Sequence, residues 1–149
     1  MKDDWLVGFI EGEGHFGLII SKEGDKHRVR PRFQLQLADT DSKVIEAIYK
    51  HLGFGNTLHM DSRGENQQGT SRYYVTSKEN CNKLANILNK RQWNTKKKMD
   101  FEKWVYILSL VDANTYLDNK QFRLVMELYE TMNGGPKSTR RDWLGELDD

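Results

Sequence analysis

Residues 6–14 read Leu6-Val7-Gly8-Phe9-Ile10-Glu11-Gly12-Glu13-Gly14, and no other stretch limits the fold so closely. Asp3 and Asp4 stand where a helix would start, with negative charge at the positive end of its dipole. The apolar run that follows predicts a helix broken at Gly14. Gly8 and Gly12, four apart, fall on one face of it. Glycine weakens a helix, so two of them call for a reason, and close approach of another helix supplies one. Glu11 and Glu13 lie at the C-terminal end, where the dipole disfavours a carboxylate and Glu13 should seek a cation. Such a carboxylate beside its copy from a second subunit would form an oxygen site suited to magnesium or calcium.

The rest of the chain alternates strand and helix patterns. Phe16, Leu18 and Ile20 alternate with His15, Gly17, Ile19 and Ser21, which predicts a strand, and Glu23-Gly24-Asp25 predicts a turn. In the next strand Val29, Pro31, Phe33, Leu35 and Leu37 share one face. Arg28, Arg30, Arg32, Gln34 and Gln36 share the other. Pro31 predicts an edge strand or a bulge there. A helix follows with the stripe Val44, Ile45, Ile48, Tyr49 and Leu52, closed by Gly53. Residues 55–60 and 71–76 predict a second hairpin with a long polar connection. Helical patterns then run over 78–90, from Lys97 to Leu110, and over 117–132. The order is αββαββα plus C-terminal helices, an α+β arrangement around an antiparallel sheet. Residues 1–132 are expected to form one domain, and 133–149 a loosely held tail.

A chain of 149 residues can bury a core without staples. Its apolar runs fall short of a membrane span, and no secretory leader opens it, so neither membrane nor export is expected. Cys81 is the one cysteine, which excludes a disulfide framework and a cysteine-based zinc site, and predicts a small buried hydrophobe. His15, His27, His51 and His59 are too scattered for zinc, and Trp5, Trp93, Trp104 and Trp143 read as core or interface anchors. The net charge of +1 argues at first sight against a nucleic-acid partner. The total hides a segregation. Residues 21–38 hold five bases and two acids, and residues 78–103 eight bases and three acids, whereas both ends of the chain are acidic. A basic face on a neutral protein can still meet a polyanion.

Residues 6–14 resemble the signature of the LAGLIDADG homing endonucleases, and the resemblance extends through the αββαββα order to about residue 110. It implies that the motif helix forms the interface between two domains, with Leu6, Gly8, Phe9 and Gly12 toward the partner. Glu13 would hold a divalent metal at the scissile phosphate, helped by the Gly12 carbonyl, and Glu11 would be structural. Magnesium is the implied cofactor, with manganese or calcium able to take its place. A single motif implies a homodimer on a nearly palindromic DNA duplex.

The saddle-shaped sheet would carry the reading residues. Arg pairs with guanine and Gln with adenine in the major groove, which suits Arg28, Arg30, Arg32 and Gln34. His15, Ser21, Arg72 and Tyr74 would face the same way, and Lys22, Lys26 and Arg63 would add phosphate contacts. In Asn94-Thr95-Lys96-Lys97-Lys98 the resemblance implies an active-site lysine, Lys96 first and Lys97 second, with Lys98 a solvated bystander. Counting from Phe33, a water-positioning polar residue would fall at Leu37, and a basic residue near Asp41. Both depart from the pattern. The resemblance therefore leaves open a maturase, which binds intron RNA, and a DNA-binding protein that does not cut. A mitochondrial or chloroplast location would follow if the gene is organellar, and a cytoplasmic one otherwise.

Overall fold

The structure is a computed structural model, and it describes residues 1–62, 64–65, 68–111, 115–135 and 141–147. Helix α1 spans Asp3–Glu13, and strands β1 (Gly14–Glu23) and β2 (Lys26–Ala38) follow as a long hairpin. A 3-10 turn, Asp39–Asp41, leads into α2 (Ser42–Leu52). Strands β3 (Asn56–Met60) and β4 (Thr70–Val75) precede α3 (Lys78–Asn89) and α4 (Lys97–Leu110). A two-residue strand, β5 (Tyr116–Leu117), and α5 (Asn119–Tyr129) complete the order. No helix among the described residues is long and apolar enough to cross a membrane.

All pairings are antiparallel, in the order β1-β2-β4-β3, with β5 on β2. The alternation along β2 holds: Val29, Pro31, Phe33 and Leu35 are buried, while Arg30, Arg32 and Gln34 between them stay partly open. The helices cover the apolar face, and Trp104 of α4 is fully buried there, its indole N–H donating to the Gly17 carbonyl at 3.1 Å. Asn133 covers the neighbouring Phe16 carbonyl at 2.8 Å. Asn133 thereby supplies a donor to β1, an edge strand whose outer side lacks a strand partner.

Pro31 is in neither an edge strand nor a bulge. It pairs with Leu18 in the central strand β2. The outer side of β2 is covered by β5 only at His27 and Arg28, and by β4 only from Phe33 onward. Val29 donates outward to the Thr115 carbonyl at 2.8 Å, and Pro31, two residues on, faces the same uncovered side. The missing N–H therefore costs no ladder bond. The Pro31 carbonyl accepts from the buried Cys81 thiol at 3.4 Å, and burial pushes that thiol up to about 12.

Two further expectations are corrected. The last helix is shorter than 117–132, because Tyr116 and Leu117 pair with β2 as β5 before α5 begins at an Asp118 capping box. Residues 141–147 are not loosely held. Trp143 is buried against the edges of His27 and Phe122, at ring distances of 5.9 and 6.1 Å. An indole buries too much apolar area to stay in water when such a pocket exists.

Candidate active site and nucleic-acid interface

The two faces of α1 have different tasks. Leu6, Val7 and Ile10 are buried in the core. Leu6 is thus not available to a partner, contrary to its expected interface role: it is fully covered by its own domain. The opposite face carries Trp5, Gly8, Phe9 and Gly12, with Trp5 stacked on Phe9 at 5.1 Å and 48% exposed. A Cβ placed on Gly8 or Gly12 would meet nothing within 4 Å. No close contact among the described residues requires these glycines. Gly14 is different, since a Cβ there would lie 2.7 Å from Ile10 Cγ2. It is needed where the chain turns from α1 into β1.

At the end of α1 the two acids part company. Glu11 accepts from the Thr95 backbone N–H at 2.8 Å, from the Thr95 hydroxyl at 3.2 Å and from the Asn94 backbone N–H. It clamps the segment that enters α4 and is structural in this sense. Glu13 is exposed and makes no hydrogen bond or ion pair among the described residues. The Gly12 carbonyl lies in the last turn, where carbonyls lack intrahelical partners. Carboxylate and carbonyl oxygens make a donor set for a hard divalent cation. Among the described residues one chain brings no three acidic, His or Cys side chains together.

Of the three lysines, Lys97 takes the inner position. Its ammonium donates to the Gly14 carbonyl at 2.7 Å, just beyond Glu13. Lys96 is exposed at the N-cap of α4, and Lys98 is paired with Glu102 at 3.7 Å. The geometry thus ranks Lys97 ahead of Lys96. A cavity of about 580 Å³ lies beside them, lined in part by Glu11, His15, Thr95, Lys96 and Lys97.

The polar face of the sheet begins at this end. Cross-strand pairs put His15 with Gln34, Gly17 with Arg32, Ile19 with Arg30, and Ser21 with Arg28. On the other side Tyr74 pairs with Gln34 and Arg72 with Gln36. The nominated residues therefore share one face, and β3 extends it with Asn56 and exposed Leu58, which the sequence reading missed. Arg30 Nε, Arg32 Nε and Gln34 Oε1 are screened from water and have no hydrogen-bond partner among the described residues. Three successive unpaired groups on one strand face are a site waiting for acceptors and donors. Arg72 is held by Gln36 at 2.7 Å. Lys22 and Lys26 are exposed at the hairpin end, and Arg63 lies outside the described residues.

Leu37 belongs to the core face, partly buried, and Asp41 is exposed ahead of α2. The polar residue at this end of β2 is Gln36. It follows Leu35, the partner of Gly14, and is paired with Arg72 of β4.

Comparison with known proteins agrees with this fold. The sequence model described as LAGLIDADG endonuclease matches residues 6–108. A probable intron-encoded endonuclease 4 from Neurospora crassa is 32% identical over 106 residues, which is 71% of this chain and 17% of that protein. The homing endonuclease I-TnaI superposes with a TM-score of 0.77 at 25% identity, covering 91% of this chain and 90% of its own. The LAGLIDADG meganuclease I-AabMI, solved bound to uncleaved DNA, gives 0.77 at 25% identity over 93% of this chain and 47% of its own. The fold and the motif end of α1 define a homing-endonuclease scaffold, and the chain belongs to the LAGLIDADG endonuclease family. It spans about half the length of I-AabMI and a sixth of the Neurospora protein.

Proposed function

We propose that this chain is a site-specific DNA endonuclease that works as a homodimer and depends on a divalent metal. The observation that carries the reading is the outer face of α1. Gly8 and Gly12 stand over open space beside an unpartnered Glu13. Each glycine costs the helix about 1 kcal/mol relative to alanine, a cost that only a closely approaching partner offsets. An isologous contact through this face sets the two Glu13 side chains near the twofold axis. The DNA-bound neighbour I-AabMI is about twice as long as the part this chain matches, an extent that a second copy would equal.

Glu13 and the Gly12 carbonyl would hold the cation, with magnesium the best fit to their oxygen chemistry. When bound, it supplies Lewis-acid stabilisation of charge on the scissile phosphodiester. Glu11 fixes α4 so that Lys97 keeps its ammonium at the Gly14 carbonyl, adding positive charge where charge develops in the reaction. Gln36, next along β2 from the Leu35 that pairs with Gly14 and held by Arg72, would orient the attacking water. Arg32 and Gln34 read base edges, and DNA bending adds selectivity at pairs no side chain touches.

The test is a plasmid carrying the joined sequences that flank the gene. In magnesium it should receive one defined double-strand break, and the Glu13→Gln variant should bind the same DNA without cutting it. Absence of cleavage in magnesium and manganese, with splicing assistance unharmed by Glu13→Gln, would replace this reading with the maturase.

A further inference from the structure

Along the outer side of β2, between β5 and β4, the uncovered stretch beside Pro31 opens into a cavity of about 300 Å³. Arg28, Arg30 and Lys78 bring three cations to it, and Thr76, Ser77 and Thr115 bring hydroxyls. No carboxylate lines it among the described residues. Pro31 contributes no N–H. The notch is rich in donors and poor in acceptors.

Its cations are held, not loose. Arg28 Nε donates to the Thr115 hydroxyl at 2.6 Å while its guanidinium lies 5.7 Å from the centre of the Tyr116 ring. The outer nitrogens of that fork remain free to donate to something else. Thr115 is itself fixed by the Val29 N–H on its carbonyl. Lys78 spends one of its three donors on the Val111 carbonyl. Arg30 Nε is screened from water and has no acceptor among the described residues. Like charges gathered this way repel unless an anion joins them. Two guanidinium forks and an ammonium around hydroxyls match a tetrahedral oxyanion.

We propose that the notch is a phosphate seat for the nucleic-acid backbone, and that Arg28 and Arg30 are phosphate anchors, not base readers. The proposal rests on the DNA-binding reading above, because both arginines belong to the same strand face as Arg32 and Gln34. Phosphate contacts fix register without carrying sequence. Sequence reading is then left to Arg32, Gln34 and their cross-strand neighbours, and the strand divides its work along its length.

The test compares wild type with Arg30→Gln, Lys78→Gln and Arg32→Gln, each first checked for an unchanged thermal transition. Binding to a randomised duplex pool is measured over a salt series, and the preferred sequences are recovered from the pool. Loss of one phosphate contact should flatten the slope of log K against log salt by about 0.9 for each copy of the seat in the complex. Arg30→Gln and Lys78→Gln should do this and leave the recovered sequence unchanged, and Arg30→Lys should restore the slope. Arg32→Gln should instead relax preference at a base pair. An unchanged slope in Arg30→Gln and Lys78→Gln, or a relaxed base preference in Arg30→Gln, overturns the proposal. A second arm titrates inorganic phosphate and follows the Arg30 Nε–H and Thr115 amide signals by NMR. Shifts there in a protein that binds no duplex would overturn the nucleic-acid reading and leave the seat to a free phosphate.

Discussion

Glu11 and Glu13 are two residues apart on the same helical turn, and their surroundings could hardly differ more. Glu11 turns inward and accepts three hydrogen bonds from the segment entering α4. Glu13 turns outward and accepts none among the described residues. A carboxylate with three donors is already spoken for, and using it as a metal ligand would cost those bonds. A carboxylate in the open at a helix C-terminus, where the dipole opposes it, gains from any cation it meets. Two like side chains thus receive opposite roles from a rotation of about 200° around one helix axis.

The largest effect that tests this contrast is on the outer acid. Glu13→Gln should lower kcat by at least about a thousandfold, since it removes charge that acts on the reaction itself. Duplex affinity and the thermal midpoint should stay within error. Equal loss of cleavage and stability would erase the contrast. Glu11→Ala should reverse the pattern. Removing a side chain that caps a helix start costs about 0.5–2 kcal/mol, so urea denaturation should show a shift of that order. Cleavage should fall less than in Glu13→Gln, and only because Lys97 loses its fixed platform.

The sequence reveals the faces of β2 because period-two alternation persists over ten residues and leaves one register. It also reveals α4, whose start and end at Lys97–Leu110 coincide with the expected bounds. It could not reveal β5, because two residues carry no periodicity and Tyr116 and Leu117 are strand only through their pairing with His27 and Arg28. The same limit explains Trp143, whose partner His27 is distant in the chain. The motif alone misplaces Leu6 because it marks the interface helix without its phase, and burial of Leu6, Val7 and Ile10 fixes that phase. Lys96 and Lys97 are inseparable in sequence for a similar reason: one helical step decides which ammonium reaches the Gly14 carbonyl.

The glycines of α1 allow a sharper test, because monomer and dimer should respond with opposite signs. Gly8→Ala meets nothing within the protomer, so it should stabilise the isolated chain by about 1 kcal/mol through helix propensity alone. The added methyl should at the same time hold two helices apart and raise the dimer dissociation constant, as read by sedimentation. Stabilisation with unchanged association would mean that this face meets no partner.

The smallest expected effect lies at the far end of the sheet, where His27 is stacked on Phe122 at 4.0 Å under Trp143. Burial is the main cause that holds its imidazole below the ordinary value of 6.5. Lys22 and Arg141 push the same way and Glu146 opposes them. A lowered value in the folded state means that folding favours the neutral ring. The stability tied to it is therefore full above pH 6.5 and is lost as pH falls through the lower folded value. Below that point the charged ring should loosen the 141–147 segment first, since neither ring nitrogen has a hydrogen-bond partner among the described residues. Trp143 fluorescence should shift to the red on mild acidification while far-ultraviolet dichroism holds. His27→Phe should abolish the shift, and its persistence in that variant would assign the acid response to another group.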